Sequence, residues 1–170
     1  KVISLHTKVN SLIAPLTRDS ITKQCNDSLA ALGVKTLDIL YVHSPDINVD
    51  YAEQFGALNE LHKQGKFKEL GLSAFAAWDV VRVYHLCKEN GWVRPTVYQG
   101  MYNAINRHAE AELLPALRTC GIRFYVYNPL SAGLLSGRYR SIKDAESLTE
   151  GRFSSEFDLN SKDESRPASG

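Results

Sequence analysis

LDILYVHSPD, residues 37–46, is an apolar run that ends in a polar turn. Leu37, Ile39, Leu40, Tyr41 and Val42 read as a short buried strand, and Ser44-Pro45-Asp46 carries turn chemistry. His43 therefore stands where a buried strand stops. An imidazole in that place is either a hydrogen-bonded core residue or a group aimed at a substrate.

The same alternation recurs on both sides of this stretch. Val2 to Val9 reads as a strand. Ile21, Cys25, Leu29 and Leu32 recur at helical spacing before Gly33, which reads as a helix C-cap. A strand over Thr36 to Val42 is followed by a helix marked by Tyr51, Phe55, Leu58 and Leu61, which stops near Gly65. FKELGLS, Phe67 to Ser73, is the next strand. Val80, Val83, Tyr84 and Cys87 mark a third helix closed by Asn90-Gly91. Strand Thr96 to Gln99, helix Leu113 to Cys120 and strand Ile122 to Tyr127 complete the series.

Strand and helix in steps of about thirty residues mean successive βαβ units and a parallel sheet. An open doubly wound sheet and a (β/α)8 TIM barrel both fit. No GxGxxG or GxxxxGK[ST] fingerprint occurs. Each strand instead has a polar residue at or just beyond its C-terminal end: Lys8, His43, Ser73, Gln99 and Asn128. In a parallel barrel those ends share the rim where active sites form, which favours a partial α/β barrel of about five βα units. Residues 1–140 are read as that partial barrel. Residues 141–170, rich in serine and acids and ending SKDESRPASG, are read as an irregular, disordered tail.

Composition narrows the function. The chain is 44% hydrophobic and 23% charged, with a net charge of +1, and no Lys/Arg cluster stands out. Nucleic acid and anionic membrane are therefore not expected partners. No apolar run approaches the length of a membrane span, and KVISLHTKVN lacks the apolar core of a secretory signal. Cys25, Cys87 and Cys120 are widely spaced and read as reduced core thiols of a cytoplasmic protein. No histidine pair has metal-ligand spacing with an acidic partner, so no metal is expected. Asp46 reads as a turn or cap residue, and Trp78, Tyr84 and Trp92 as packing residues.

LHTKVN, LDILYVHSPD, GKFKELGLSAF, TVYQGMYN and YVYNPLSAGLLSG resemble, in order and spacing, the aldo-keto reductases, and within them the aflatoxin-aldehyde reductase branch. The resemblance runs from Lys1 to about Phe153. It implies family barrel strands 3 to 7, NADPH as cofactor, a small carbonyl substrate and an oxidoreductase that reduces an aldehyde or ketone to an alcohol. A homodimer is the one protein partner it leaves open. By position, Lys8 and His43 match the family's catalytic lysine and histidine. Ser73 and Gln99 match the positions that hold the nicotinamide carboxamide, and Tyr127 the aromatic that stacks on the ring. Asn128, Leu130, Gly133 and the loop to Gly137 match the segment that wraps the pyrophosphate. The family's tyrosine proton donor, and the Asp that pairs with its lysine, lie upstream of the lysine. The expectation is thus a chain truncated at both ends, with a catalytically inactive product as the alternative. Ala74 stands where the family usually has Asn, at the expected loss of one carboxamide hydrogen bond.

Overall fold

The computed structural model describes residues 3–137, so the tail expected over 141–170 lies outside the described residues. Five strands alternate with helices: β1 (His6–Val9), α1 (Arg18–Leu32), β2 (Leu37–Val42), α2 (Tyr51–Lys63), β3 (Phe67–Ser73), α3 (Ala77–Glu89), β4 (Pro95–Met101), α4 (Leu113–Cys120) and β5 (Arg123–Tyr127). The strands are parallel and lie in sequence order, β1-β2-β3-β4-β5. This is the succession expected of part of a (β/α)8 barrel. Two compact units are present. Of the described residues, one holds those up to Gly100 together with His108–Val126, and the other holds Met101–Arg107 and residues 127–137.

Local chemistry explains the boundaries. Thr17 accepts the Ser20 N–H at the start of α1, and Asp50 accepts the Ala52 N–H at 2.6 Å at the start of α2. α1 ends at Gly33, whose φ of +66° lets the Gly33 and Val34 amides fold back onto the Ala30 and Leu29 carbonyls. Among the described residues β1 begins at His6, while Val2 lies outside them. Just before the strand, the Leu5 amide donates to Asp38 Oδ2 at 2.8 Å and its carbonyl accepts the Asp38 amide at 2.9 Å. β4 runs two residues beyond Gln99, to Met101, and opens on Pro95, where a missing N–H matters least.

The sheet has two different faces. Val9, Leu40, Val42, Leu70, Leu72 and Tyr98 are buried against the stripes Ile21-Cys25-Leu29, Phe55-Leu58-Leu61 and Val80-Val83-Cys87 of the helices. Alternation along each strand sends Lys8, Tyr41, Gly71 and Val97 to the other face, and the register Lys8–Tyr41–Gly71–Val97 places them level with one another. Ile39, Tyr41 and Val97 form a separate small core there. Glu69 pairs with Arg123 and accepts from Thr96 Oγ1 at 2.6 Å on the same sheet. Among the described residues no helix is long and apolar enough to cross a membrane. The three cysteines are free and buried.

Tyr84 and Trp92 pack against the helix-side core as expected. Trp78 does not: it is 64% exposed. Two residues before Val80, it projects about 200° away from the Val80-Val83-Cys87 stripe that faces the sheet.

Ala74, just after β3, has φ +57°. A left-handed backbone costs an L-residue roughly 1–2 kcal/mol, and glycine avoids that cost. Ala74→Gly is therefore expected to raise unfolding stability by about 0.5–1 kcal/mol in urea titrations. A decrease would show that the Ala74 methyl contributes packing that outweighs its backbone strain.

Candidate active site

The polar end of the sheet is built by register. The His43 amide donates to the Val9 carbonyl at 2.9 Å, which continues the β1–β2 ladder one residue past β2. His43 and Tyr41 share a face, and Lys8 is level with Tyr41. Lys8 and His43 thus come to adjacent strand ends on one face, as the sequence suggests. Both side chains are half-buried. Burial holds the Lys8 ammonium below its ordinary pKa. Burial first, and the Lys8 charge second, hold His43 below the ordinary imidazole value.

The loops leaving these strands are tied together. Ser11 and Ser44 hydroxyls meet at 2.8 Å. Asp46, only 6% exposed, accepts the Leu16 amide at 2.9 Å and the Asn48 amide at 3.0 Å. It is the turn residue expected from Ser-Pro-Asp, and it also braces the β1–α1 loop, which the sequence does not reveal.

Ser73 and Gln99 are register partners across β3 and β4. Ser73 is buried at the end of its strand, while Gln99 is half-buried and lies inside β4. A hydroxyl beside a primary amide offers both donors and acceptors at one level, which suits a planar carboxamide. Among the described residues, no group of three or more His, Cys, Asp or Glu is arranged to hold a metal ion.

The second unit carries the remaining expected residues. Tyr127 ends β5 and is 43% exposed. Asn128 (φ +60°) accepts the Ala132 amide on Oδ1 at 2.6 Å and the Ser131 amide on its carbonyl at 2.9 Å. The Leu130 carbonyl accepts the Gly133 and Leu135 amides. Ser131, Ala132 and Gly133 have positive φ in succession, a left-handed turn closed by Gly137 at φ +75°. Four amides of this loop are therefore engaged within it, and a bound anion would have to draw on the others or displace these bonds.

His43 gives a direct test of this geometry. Its folded pKa is lowered, so above about 6.5 both folded and unfolded states are neutral and the shift has no effect on stability. As pH falls through that value the unfolded chain binds the proton first, and the fold loses stability until the folded pKa is passed. Lys8→Met removes the cationic part of the shift. The His43 ring-proton titration followed by NMR should then move up, yet stay below 6.5 because burial is the larger cause. An unmoved titration would mean that the two charges do not meet.

Comparison with known proteins supplies the context. The family model described as "Aldo/keto reductase family" matches residues 1–165. Aflatoxin B1 aldehyde reductase member 2 of Rattus norvegicus is 51% identical over 138 residues, 81% of this chain and 38% of that protein. Aflatoxin B1 aldehyde reductase member 4 of Homo sapiens is 46% identical over 152 residues, 89% of this chain and 46% of that protein. Oxidoreductase sirO of Leptosphaeria maculans is 44% identical over 119 residues, 70% of this chain and 36% of that protein. The chain spans less than half the length of these relatives.

Proposed function

The chain belongs to the aldo/keto reductase family, and on that premise we propose that it serves the NADPH-dependent reduction of an aldehyde or ketone to an alcohol. The observation that carries this reading is the pair Lys8 and His43, brought by strand register to adjacent ends of β1 and β2, with the charge of one felt by the other. Bound NADPH supplies the hydride that converts the carbonyl carbon to a carbinol. As that happens negative charge develops on the substrate oxygen, and catalysis needs donors and positive charge already aimed there. His43, held neutral near pH 7, offers an N–H to the oxygen. Lys8 supplies the cation beside it and stabilises the deprotonated form of any acid that delivers the proton.

In the first unit, Ser73 and Gln99 would hold the carboxamide of the cofactor. In the second unit, Tyr127 matches by position the family's ring-stacking aromatic, and Asn128, Leu130, Gly133 and Gly137 match the family's pyrophosphate loop. The buried free thiols fit a reducing compartment, the cytoplasm. One observation favours a catalytically inactive chain: Ala74, at φ +57°, brings no polar group to the cofactor where the family uses Asn. A single assay separates the readings. Loss of NADPH absorbance with a small reactive aldehyde supports the reductase, and no turnover across a broad panel of aldehydes and ketones would leave the inactive chain standing.

A further inference from the structure

Asn103 stands two residues past the end of β4 and is only 6% exposed. No step of the proposed chemistry uses it, yet its whole side chain is committed. Oδ1 accepts the Asn106 amide at 2.8 Å and the Ile105 amide at 3.1 Å. Two N–H groups on one side require the oxygen there, so the NH2 group faces the other way. It donates to the Asn128 carbonyl at 3.1 Å, across 25 residues of chain. The Asn103 backbone is held as well. The Asn103 and Asn106 amides donate to each other's carbonyls at 3.1 and 3.2 Å. Both asparagines, 103 and 128, belong to the second unit.

Asn128 is the residue from which the loop after β5 is folded. Its carbonyl also accepts the Ser131 amide at 2.9 Å, and its Oδ1 accepts the Ala132 amide at 2.6 Å. Asn128, Ser131, Ala132 and Gly133 have φ of +60°, +50°, +54° and +101°. Each of the first three carries a Cβ and is strained there. A run of this kind persists only where its surroundings determine it, and such runs cluster at ligand clamps. A carbonyl oxygen accepts two hydrogen bonds. At Asn128 the Ser131 amide closes the turn, and Asn103 fixes the direction of the same oxygen from a different segment, the turn after β4.

We infer that Asn103 is a positioning residue for the cofactor: its NH2 group fixes the Asn128 carbonyl, and through it the left-handed loop to Gly137 that meets the diphosphate. The ligand in this inference rests on the reductase reading. The tie itself does not, since the Asn103–Asn128 bond holds the loop whatever the loop binds.

Asn103→Asp separates the two duties of this side chain. The carboxylate still accepts the Ile105 and Asn106 amides. It has no proton for the Asn128 carbonyl and sets a negative charge against that oxygen. Amide exchange followed by NMR should show the Ser131 and Ala132 amides exchanging about tenfold faster or more, with the Asn106 and α3 amides unchanged. NADP+ titrated into the same samples should bind about tenfold more weakly to Asn103→Asp than to the parent. A residue that only holds its own turn predicts neither result. If Asn103→Asp does not fold, the parent decides: by linkage, saturating NADP+ should slow exchange of the Asn103 NH2 protons by about threefold or more, and no slowing overturns the inference. Unchanged Ala132 exchange, an equal loss of protection at Asn106 and Ala132, or equal NADP+ affinity in parent and variant also overturns it. A parent that binds no NADP+ overturns the reductase reading, and the exchange rates then decide the tie between Asn103 and the loop by themselves.

Discussion

Under the proposed reductase activity, Lys8→Met is expected to lower kcat for aldehyde reduction by about 10²–10³-fold while leaving KM close to that of the parent. The reasoning is local. Lys8 reaches the polar end of the sheet beside His43, half-buried, with its ammonium partly desolvated. A desolvated cation does most where charge appears during the reaction, and the neutral carbonyl of the bound substrate asks little of it. The loss therefore falls on the transition state rather than on substrate binding. Lys8→Arg should not restore the rate, because a delocalised, forked guanidinium does not replace a compact ammonium in a fitted site. Steady-state kinetics with one reactive aldehyde decides the matter. With an active parent, a kcat left unchanged would remove Lys8 from the catalytic role.

Gly71→Ala is the substitution expected to damage the fold most. A Cβ at Gly71 would lie 2.3 Å from Tyr41 Cδ1 and 2.5 Å from Cε1. The Tyr41 ring is 1% exposed and packs beside Ile39 and Val97, so it has little room to withdraw. Forcing extra atoms into such a site costs about 1–3 kcal/mol, and this contact is severe enough to place it at the upper end. Chemical denaturation of Gly71→Ala and of Gly71→Ala/Tyr41→Val supplies the check. The second change should recover part of the loss, since it removes the ring that the methyl meets. Tyr41→Phe should not rescue, because the ring atoms in conflict remain. Gly71→Ala as stable as the parent would mean the ring moves aside at no cost.

These two residues mark how far sequence carries. Strand and helix periodicity locates each βα unit among the described residues, because the buried stripes of α1, α2 and α3 are regular and Gly33, Gly91 and Gly121 close helices as glycine should. The polar strand ends are legible for the same reason: His43 interrupts an apolar run, and an interruption is visible. Register is not visible. That Lys8 stands level with Tyr41, and Tyr41 with Gly71, follows only from pairing between segments about thirty residues apart. Gly71 reads as one more strand residue until the ring opposite it is seen. Trp78 shows the converse. A large apolar residue suggests packing, yet the helix phase set by Val80 and Val83 turns it outward. Asp79 looks like an ordinary acid in a first helical turn, yet the structure buries it beside the Tyr51 phenol. The loop from Asn128 to Gly137 is a further case. Its glycines are readable as turn residues, but the positive φ of Ser131 and Ala132 has no signature in residues that normally avoid it.

The strand order β1-β2-β3-β4-β5 has a consequence for how such a chain comes into being. Among the described residues, each strand from β2 to β5 finds its neighbour in the strand made just before it. On a ribosome, each βα unit that emerges can add to an edge already laid down, so the sheet can grow at the pace of synthesis. Each new strand then covers the edge left by the last. Assembly order and chain direction coincide, which limits the wrong pairings available to a half-made sheet.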